Sequence, residues 1–303
     1  MAAIQRILQS LFLTAKVLLA GAIADQQSQL VLVNRDCAIV DNNIRLGSTE
    51  QLLRNVGSLV EYLCAGAGDN SGFLNGSYGD PPGQVFGHVM CYANYNWNMC
   101  ESCLVAAQSF PSEQCPYAWD AGVIYDACTL RYSNNSSFSV PGAGGSFWSE
   151  FADSESGPYV HDIVAMNEAR WKLMSRLVPE ASGSSARFAN GSLPYTDSYG
   201  ASLETYGLMQ CSRDLAPDEC ADCLQGGLTN LASANSRTGH VRSYSCYITY
   251  SMEPIEIRSP SPSEPVEIPS PSPAGVVPAS SSKLGKRKLI IAVCVVVCSI
   301  LSL

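Results

Sequence analysis

The segment CYANYNWNMCESC, from Cys91 to Cys103, shares its cysteine spacing with the segment CSRDLAPDECADC, from Cys211 to Cys223. Each has a cysteine, eight residues, a second cysteine, two residues and a third cysteine, although the residues between the cysteines hardly match. A cysteine spacing that is kept while the residues between the cysteines vary is compatible with a metal site, a redox centre or a disulfide framework. The ends of the chain help to choose among these three.

The N-terminus predicts secretion. Residues 1–24 combine Arg6, an apolar stretch and the small-residue site Ala22–Ala24, which is typical of a signal peptide cleaved before Asp25. An ordinary amphipathic first helix is the alternative. Because secreted thiols pass through an oxidising compartment in which disulfides persist, a disulfide framework is favoured.

Residues 283–303 predict a C-terminal anchor signal. The uncharged apolar run Leu289–Leu303 is shorter than the roughly 20 residues that a spanning helix needs. Together with small residues and a polar spacer before it, the run resembles a glycosylphosphatidylinositol signal with attachment at Ser280 or Ser281, on the outer face of the plasma membrane. A short single-pass helix is the alternative. The preceding Pro/Ser-rich residues 257–282 predict an extended stalk.

The chain also repeats itself outside the two cysteine segments. The matching sequences are FLNGS at Phe73 and FANGS at Phe188, Phe86-Gly87 and Tyr206-Gly207, and CTLRYS at Cys128 and CYITYS at Cys246. They predict two copies of one domain, residues 25–140 and 148–256, with a Gly/Ser-rich segment between them.

Both copies show the same pattern of helices and strands. STEQLLRNVGSLVEYLC, from Ser48 to Cys64, has the apolar spacing of an amphipathic helix, and VAMNEARWKLMSRLV is its counterpart. A second helix begins at the paired cysteines of each copy, and runs such as GVIYDACTLRYS predict hairpin strands. Helices on one face of an antiparallel sheet form an α+β module.

The cysteine spacing, the Phe/Tyr-Gly pair before it and the sequence Arg131-Tyr132-Ser133 after it resemble the ginkbilobin-like domain of plants, also called the salt-stress-response/antifungal domain. The layout is similar to that of plasmodesmata-located proteins and cysteine-rich repeat secretory proteins. The resemblance covers roughly residues 30–255. It implies two tandem α+β modules, each with two helices packed on a five-stranded antiparallel sheet and stapled by disulfides.

The resemblance also implies the disulfide pairing. The pairs are Cys37–Cys115, Cys91–Cys100 and Cys103–Cys128 in the first copy, and Cys211–Cys220 and Cys223–Cys246 in the second. The second copy has no cysteine where Cys37 or Cys115 falls, so both halves of one bridge are missing together. Cys64 remains unpaired, and a glycine-rich sequence after it predicts a position near the surface. It is either a buried free thiol or a disulfide between two chains held side by side at the membrane, giving a homodimer.

Ginkbilobin binds mannose, and the resemblance places that site at three positions of this sequence. These are Ala38, Gly122 and Ser133, none of which has a charged or bidentate group able to hold vicinal hydroxyls. Arg131 and Asp126 are the neighbours able to compensate. A secreted antifungal, mannose-binding lectin is therefore the alternative function.

The two Cys-x2-Cys motifs give a third alternative, an extracellular redox protein, although the resemblance assigns each motif cysteine a partner outside its motif. A zinc site is disfavoured because the compartment oxidises thiols. Hydrolysis is disfavoured because His88, His161 and His240 complete no nucleophile–base set. We therefore expect no catalytic residue, metal or cofactor.

The remaining features concern partners. The net charge of −9 excludes a nucleic-acid binder on electrostatic grounds. Tyr92, Tyr95 and Trp97 lie in one disulfide-closed loop and are the candidate ligand contacts, whereas Trp171 lies on a helix face that is expected to pack. N-glycosylation sequons occur at Asn75, Asn134, Asn135 and Asn190. The sequence predicts a non-enzymatic plant cell-surface protein, placed at plasmodesmata by its layout, that binds a cell-wall carbohydrate or a protein partner in cell–cell communication or defence.

Overall fold

The computed structural model of the protein describes residues 30–39, 46–138, 146–153, 161–231 and 234–258. The signal peptide, the stalk and the anchor signal, with Ser280 and Ser281, lie outside these residues. Within the described ranges, no helix is both long and apolar enough to cross a membrane. Both repeats belong to one compact unit, Met1–Pro262.

The first repeat is a five-stranded antiparallel sheet with two helices on one face. In chain order its elements are β1 (Leu32–Ile39), α1 (Leu46–Gly66), a 3-10 turn (Gly68–Asn70), β2 (Phe73–Tyr78), β3 (Val85–Cys91), α2 (Trp97–Glu113), β4 (Ala118–Tyr125) and β5 (Cys128–Ser133). The strands lie in the order β1-β4-β5-β3-β2, and every neighbouring pair is antiparallel. The edge strands β1 and β2 therefore flank the three central strands β4, β5 and β3.

The second repeat has the same architecture. Its elements are β6 (Trp148–Ala152), α3 (Ile163–Gly183), β7 (Phe188–Thr196), β8 (Ser202–Cys211), α4 (Pro217–Leu231), β9 (Thr238–Arg242) and β10 (Cys246–Ser251). The strand order β6-β9-β10-β8-β7 reproduces that of the first sheet. The predicted fold class, two tandem α+β modules with two helices on a five-stranded antiparallel sheet, is confirmed.

Successive side chains of a strand point to opposite faces of its sheet, and here both faces are used. One face of each sheet packs under its own helices and forms the core of that repeat. A third cluster combines residues of both repeats, including Met90 and Tyr92 of the first with Leu208 and Tyr247 of the second. The sheets thus contact each other through the faces that their helices leave uncovered.

The glycine of the repeated Phe/Tyr-Gly pair lets a helix approach the sheet closely. A Cβ on Gly87 would lie 2.9 Å from the carbonyl oxygen of Arg131, and a Cβ on Gly207 would lie 2.5 Å from the Met174 sulfur. Both distances are shorter than real Cβ contacts, and the Leu59 and Leu63 side chains of α1 would also lie 3.2 Å from a Cβ on Gly87, so a larger residue at either position would force its neighbours to shift. This close approach explains why the pair occurs in both copies.

The same glycines align the long helices of the two repeats. Leu59 of α1 lies over Gly87, and Leu173 of α3 lies over Gly207. Counting along both helices from these leucines places Cys64 opposite Val178. The cysteine therefore occupies a position that the second repeat fills with an ordinary apolar residue.

Candidate functional site

Five disulfides staple the repeats, in the pairing that the family resemblance implies. They are Cys37–Cys115, Cys91–Cys100, Cys103–Cys128, Cys211–Cys220 and Cys223–Cys246. Each cysteine of the two Cys-x2-Cys motifs is bonded to a cysteine outside its motif. Neither motif closes on itself, as the disulfide of a thioredoxin-type redox centre does.

Cys64 lies in the core of the first repeat, so the prediction that its side chain lies near the surface is wrong. The residue is 7% exposed and packs in the same cluster as Leu63 and Ala67. Burial raises the pKa of its thiol to about 12, which keeps it protonated and unreactive near neutral pH. A sulfur in this position is not accessible for a disulfide with a second chain, and the structure favours the buried-thiol alternative.

The aromatic loop between Cys91 and Cys100 is part of the contact between the repeats. Tyr92 is fully buried, and its ring stacks on that of Tyr247 with centroids 4.1 Å apart. Tyr95 and Trp97 are half-buried against the core of the first repeat. The expectation of an exposed contact surface is therefore wrong for Tyr92, whose ring has no face open to a ligand.

A buried glutamine joins the two repeats by hydrogen bonds. The Gln210 Oε1 atom accepts a hydrogen bond from the backbone N–H of Ala93 at 3.0 Å, and its Nε2 atom donates to the carbonyl oxygen of Cys91 at 3.0 Å. The amide thus satisfies two backbone groups where the first sheet ends. Such groups are costly to bury unpaired, so Gln210 stabilises the contact in this orientation.

A buried arginine lies next to the stacked tyrosines. Arg242 is 1% exposed, and its guanidinium carbon lies 5.9 Å from the Tyr92 ring centroid and 5.5 Å from that of Tyr247. Its Nη1 atom is 3.3 Å from a carboxylate oxygen of Glu150. Ring faces and a carboxylate compensate the buried charge. Burial, together with the positive charge of Arg242, lowers the pKa of His240 to about 3, so that this imidazole is neutral at physiological pH.

The three histidines lie in three separate places, and each contacts neighbouring residues of the fold. The His88 Nε2 atom donates to the carbonyl oxygen of Tyr244 at 2.9 Å across the contact between the repeats, while the His240 Nδ1 atom lies 2.9 Å from the Tyr247 hydroxyl. His161 lies beside the ring of Tyr199. In the part of the chain that the structure describes, no group of three or more His, Cys, Asp or Glu residues could hold a metal ion.

Two of the three positions that the resemblance assigns to mannose, Gly122 and Ser133, are covered in the first repeat, whereas Ala38 is exposed. The Tyr244 ring from the second repeat lies against Gly122, where any Cβ would collide with it. Arg131 forms an ion pair with Asp120. The guanidinium carbon of Arg131 also lies 5.2 Å from the centroid of the Tyr244 ring. Ser133 is buried and donates to Asp120 at 2.8 Å. The second repeat thus covers the part of this surface around Gly122.

Four exposed apolar side chains lie on the first half of α3 and in the turn beside its start. They are Ile163 (42% exposed), Val164 (69%), Trp171 (48%) and Tyr199 (75%), and we call them the α3 surface. Val164 and Trp171 are seven positions apart and therefore lie on one side of the helix. The expectation that Trp171 packs against the protein is wrong.

Asp162 places Tyr199 beside this helix. One of its carboxylate oxygens accepts from the Ala165 N–H at 2.9 Å and caps α3, and the other accepts from the Ser198 N–H at 3.0 Å in the β7–β8 turn. These N–H donors lower the pKa of Asp162 to about 2. The turn and the helix start are thus held together, although they are far apart in sequence, which explains why sequence reasoning missed the α3 surface.

The four sequon asparagines are all exposed. Asn75 and Asn190 lie at equivalent positions of β2 and β7, and Asn134 and Asn135 follow β5. Glycosylation at these sites stays a prediction.

The two repeats are similar to known plant proteins over most of their length. A family model described as salt stress response/antifungal matches residues 36–135 and 157–253. Cysteine-rich receptor-like protein kinase 34 of Arabidopsis thaliana is 30% identical over 65% of this chain, and the antimicrobial ginkbilobin-2-like protein of Castanea crenata is 28% identical over 61% of it. The alignments span 30% of the length of the kinase and 74% of that of the Castanea protein.

A solved structure shares the fold of both repeats. It is the tandem DUF26 ectodomain of the cysteine-rich receptor-like protein PDLP8 from Arabidopsis thaliana, with a TM-score of 0.52 and 20% sequence identity. The match covers 73% of this chain and 98% of that ectodomain. The tandem arrangement of two such modules is therefore common to both proteins.

Proposed function

Since the chain belongs to the salt stress response/antifungal family, we propose that it is a non-enzymatic recognition protein of the plant cell surface that binds a protein partner. The observation that carries the proposal is the α3 surface, four large apolar side chains that are exposed on one disulfide-stapled repeat. Exposed apolar patches mark interaction sites, and Trp and Tyr are enriched among the residues that dominate binding energy. The receptor-like relatives support a partner of this kind.

A protein partner is favoured over a mannose-type glycan. The groups that hold a sugar in ginkbilobin have no counterpart at Gly122 and Ser133, and Tyr244 covers that surface. The α3 surface offers exposed Trp171 and Tyr199 rings and apolar side chains, which suit a protein surface better than vicinal hydroxyls. Recognition in cell–cell communication or defence is the role we propose for it.

A charge in the α3 surface is expected to weaken partner binding strongly. We expect the tagged chain ending at Pro262 to bind saturably to plant protoplasts, from which the wall has been removed, and to lose this binding when they are treated with protease. Val164→Glu places a carboxylate among the apolar contacts, and loss of a hot-spot contact of roughly 2 kcal/mol lowers affinity about 30-fold. Flow cytometry of the bound tag measures this affinity.

The matched control is Val105→Glu, which makes the same change at an equally exposed valine of α2 in the first repeat. It is expected to leave binding unchanged. Equal losses in both variants would mean that negative charge in general, and not the α3 surface, weakens binding. Saturable binding to protein-free cell-wall material would instead identify a carbohydrate ligand and overturn the proposal.

We also propose attachment of the protein to the outer membrane face by a lipid at Ser280 or Ser281. The proposal is supported by the small residues, polar spacer and short apolar run of the C-terminal sequence. Phosphatidylinositol-specific phospholipase C is expected to release the full-length protein from intact cells, as measured by immunoblotting of the medium. Retention on cells after this treatment would rule the lipid anchor out.

A further inference from the structure

One of the five disulfides reaches the surface of the protein. Cys37 lies on the edge strand β1 and is exposed, whereas its partner Cys115, in the loop after α2, is 2% exposed. The cysteines of the other four bridges are at most 3% exposed. Thiol–disulfide exchange starts when a thiolate attacks one sulfur of a bridge, so its rate depends on access to that sulfur. Of the five bridges in the described part of the chain, Cys37–Cys115 alone presents an exposed cysteine.

The second repeat forms the same sheet without this bridge. In the first sheet, counting across the paired strands from Gly87 leads to Cys37. The same count from Gly207 in the second sheet leads to Phe151 of β6. A Cβ on Gly239 of β9 would lie 2.6 Å from the Phe151 ring, so this ring covers β9 where the first repeat has its bridge. The architecture therefore does not require a disulfide at this position.

Contacts other than the bridge also fix β1 in the first repeat. The strand pairs with β4 from Leu32 to Ile39. The backbone N–H of Asp126 donates to the carbonyl oxygen of Val31 at 2.9 Å, and the Val31 N–H donates to a carboxylate oxygen of Asp126 at 3.2 Å. The Tyr244 hydroxyl of the second repeat donates to Asp36 at 2.9 Å. Opening of the bridge is therefore expected to leave the sheet and the core in place.

We propose that Cys37–Cys115 is a thiol-exchange site, at which a small extracellular thiol such as glutathione forms a mixed disulfide with Cys37. The thiolate attacks the Cys37 sulfur, the bond between the two protein sulfurs breaks, and its electron pair leaves on the Cys115 sulfur as a thiolate. A second thiolate attacks the thiol-derived sulfur of the mixed disulfide, leaves as the oxidised dimer and releases Cys37 as a thiolate. The two thiols supply both electrons, so no other reductant is needed.

The exchange disconnects β1 from the loop after α2 while the four buried bridges persist. It places a modifying group on the exposed edge strand of the first repeat, at a position that the second repeat fills with Phe151. The four buried bridges differ from this one because their sulfurs become accessible only when a repeat unfolds. The site does not involve the α3 surface of the second repeat, so either proposal can fail a test without the other.

The test follows the opening of each bridge in the chain ending at Pro262 after dithiothreitol is added. At each time point, excess iodoacetamide blocks accessible thiols in the native protein, and N-ethylmaleimide labels the remaining thiols after denaturation. Peptide mass spectrometry then measures both labels on each cysteine. We expect Cys37 and Cys115 to be released at least about tenfold faster than any other bridged cysteine, because access to the sulfur limits the exchange. Earlier opening of a buried bridge overturns the proposal.

Cys64 is the internal control, because its buried thiol reacts with iodoacetamide only when the first repeat unfolds. We expect Cys64 to carry N-ethylmaleimide alone when the Cys37–Cys115 bridge is fully open. Iodoacetamide on Cys64 at the rate of Cys37 would mean that the bridge opens by unfolding, and would overturn the proposal.

Reduced glutathione in place of dithiothreitol identifies the sulfur that is attacked. We expect the glutathione adduct on Cys37, the exposed cysteine, and an adduct on Cys115 instead contradicts the mechanism. The double variant Cys37→Ser with Cys115→Ser is expected to form no adduct over the same interval while circular dichroism shows an intact fold. The rates in the unchanged chain decide the question even if this variant fails to fold.

Discussion

Tyr92→Ala is expected to lower the free energy of unfolding of the two-repeat unit by about 3–5 kcal/mol, the usual cost of truncating a buried aromatic side chain. The Tyr92 ring is fully buried and stacked on Tyr247, so its removal leaves a cavity between the sheets. Arg242 also loses one of the two ring faces that compensate its buried charge. Urea unfolding followed by fluorescence measures this loss.

Tyr92→Phe is the matched control. The Tyr92 hydroxyl is buried without a hydrogen-bond partner among the described residues, so its removal is expected to change stability little. If Tyr92→Ala cost less than about 1 kcal/mol, the ring would be mostly exposed. The loop would then again be a candidate ligand surface.

Replacing both Cys37 and Cys115 by alanine is expected to lower the free energy of unfolding by about 4 kcal/mol, since their bridge closes the longest loop of the five. The bridged residues are 78 positions apart, and without the bridge the unfolded chain gains the entropy of that loop. Differential scanning calorimetry and urea unfolding of the double variant measure the change.

Cys64→Ala provides the comparison, because it removes a buried sulfur without opening a bridge. Its expected cost is roughly 1 kcal/mol, that of one buried methylene-sized group. If the double variant lost no more unfolding free energy than Cys64→Ala, the Cys37–Cys115 bridge would contribute little to stability. The loop after α2 would then be held by its other contacts.

Sequence reasoning was most successful where the information is local or repeated. The fold class follows from an apolar helix period, short β-branched runs and a cysteine spacing that occurs twice. The glycines of the Phe/Tyr-Gly pair are visible in the sequence, although their reason, the close approach of a helix to the sheet, is visible only in the structure. The same local patterns occur in both repeats because each repeat forms the same helices and strands.

Predictions about exposure failed at Tyr92, Cys64 and Trp171. Tyr92 follows β3, whose residues are nearly all buried, and an almost continuous apolar run is typical of a strand covered on both faces. That signal was available and indicated that something covers the second face. For Cys64 and Trp171 the helix period predicts a buried stripe, but the width of the stripe depends on what packs against it.

The sequence by itself determined the elements, the two repeats and the cysteines available for bridges, because these depend on neighbouring residues and on spacing along the chain. Only the tertiary structure decided which surfaces remain open. Tyr244 covers the Gly122 surface, and Tyr247 covers the Tyr92 ring, through contacts between residues that are distant in sequence. Burial depends on which distant groups come together in space, and a pattern along the chain carries no information about that.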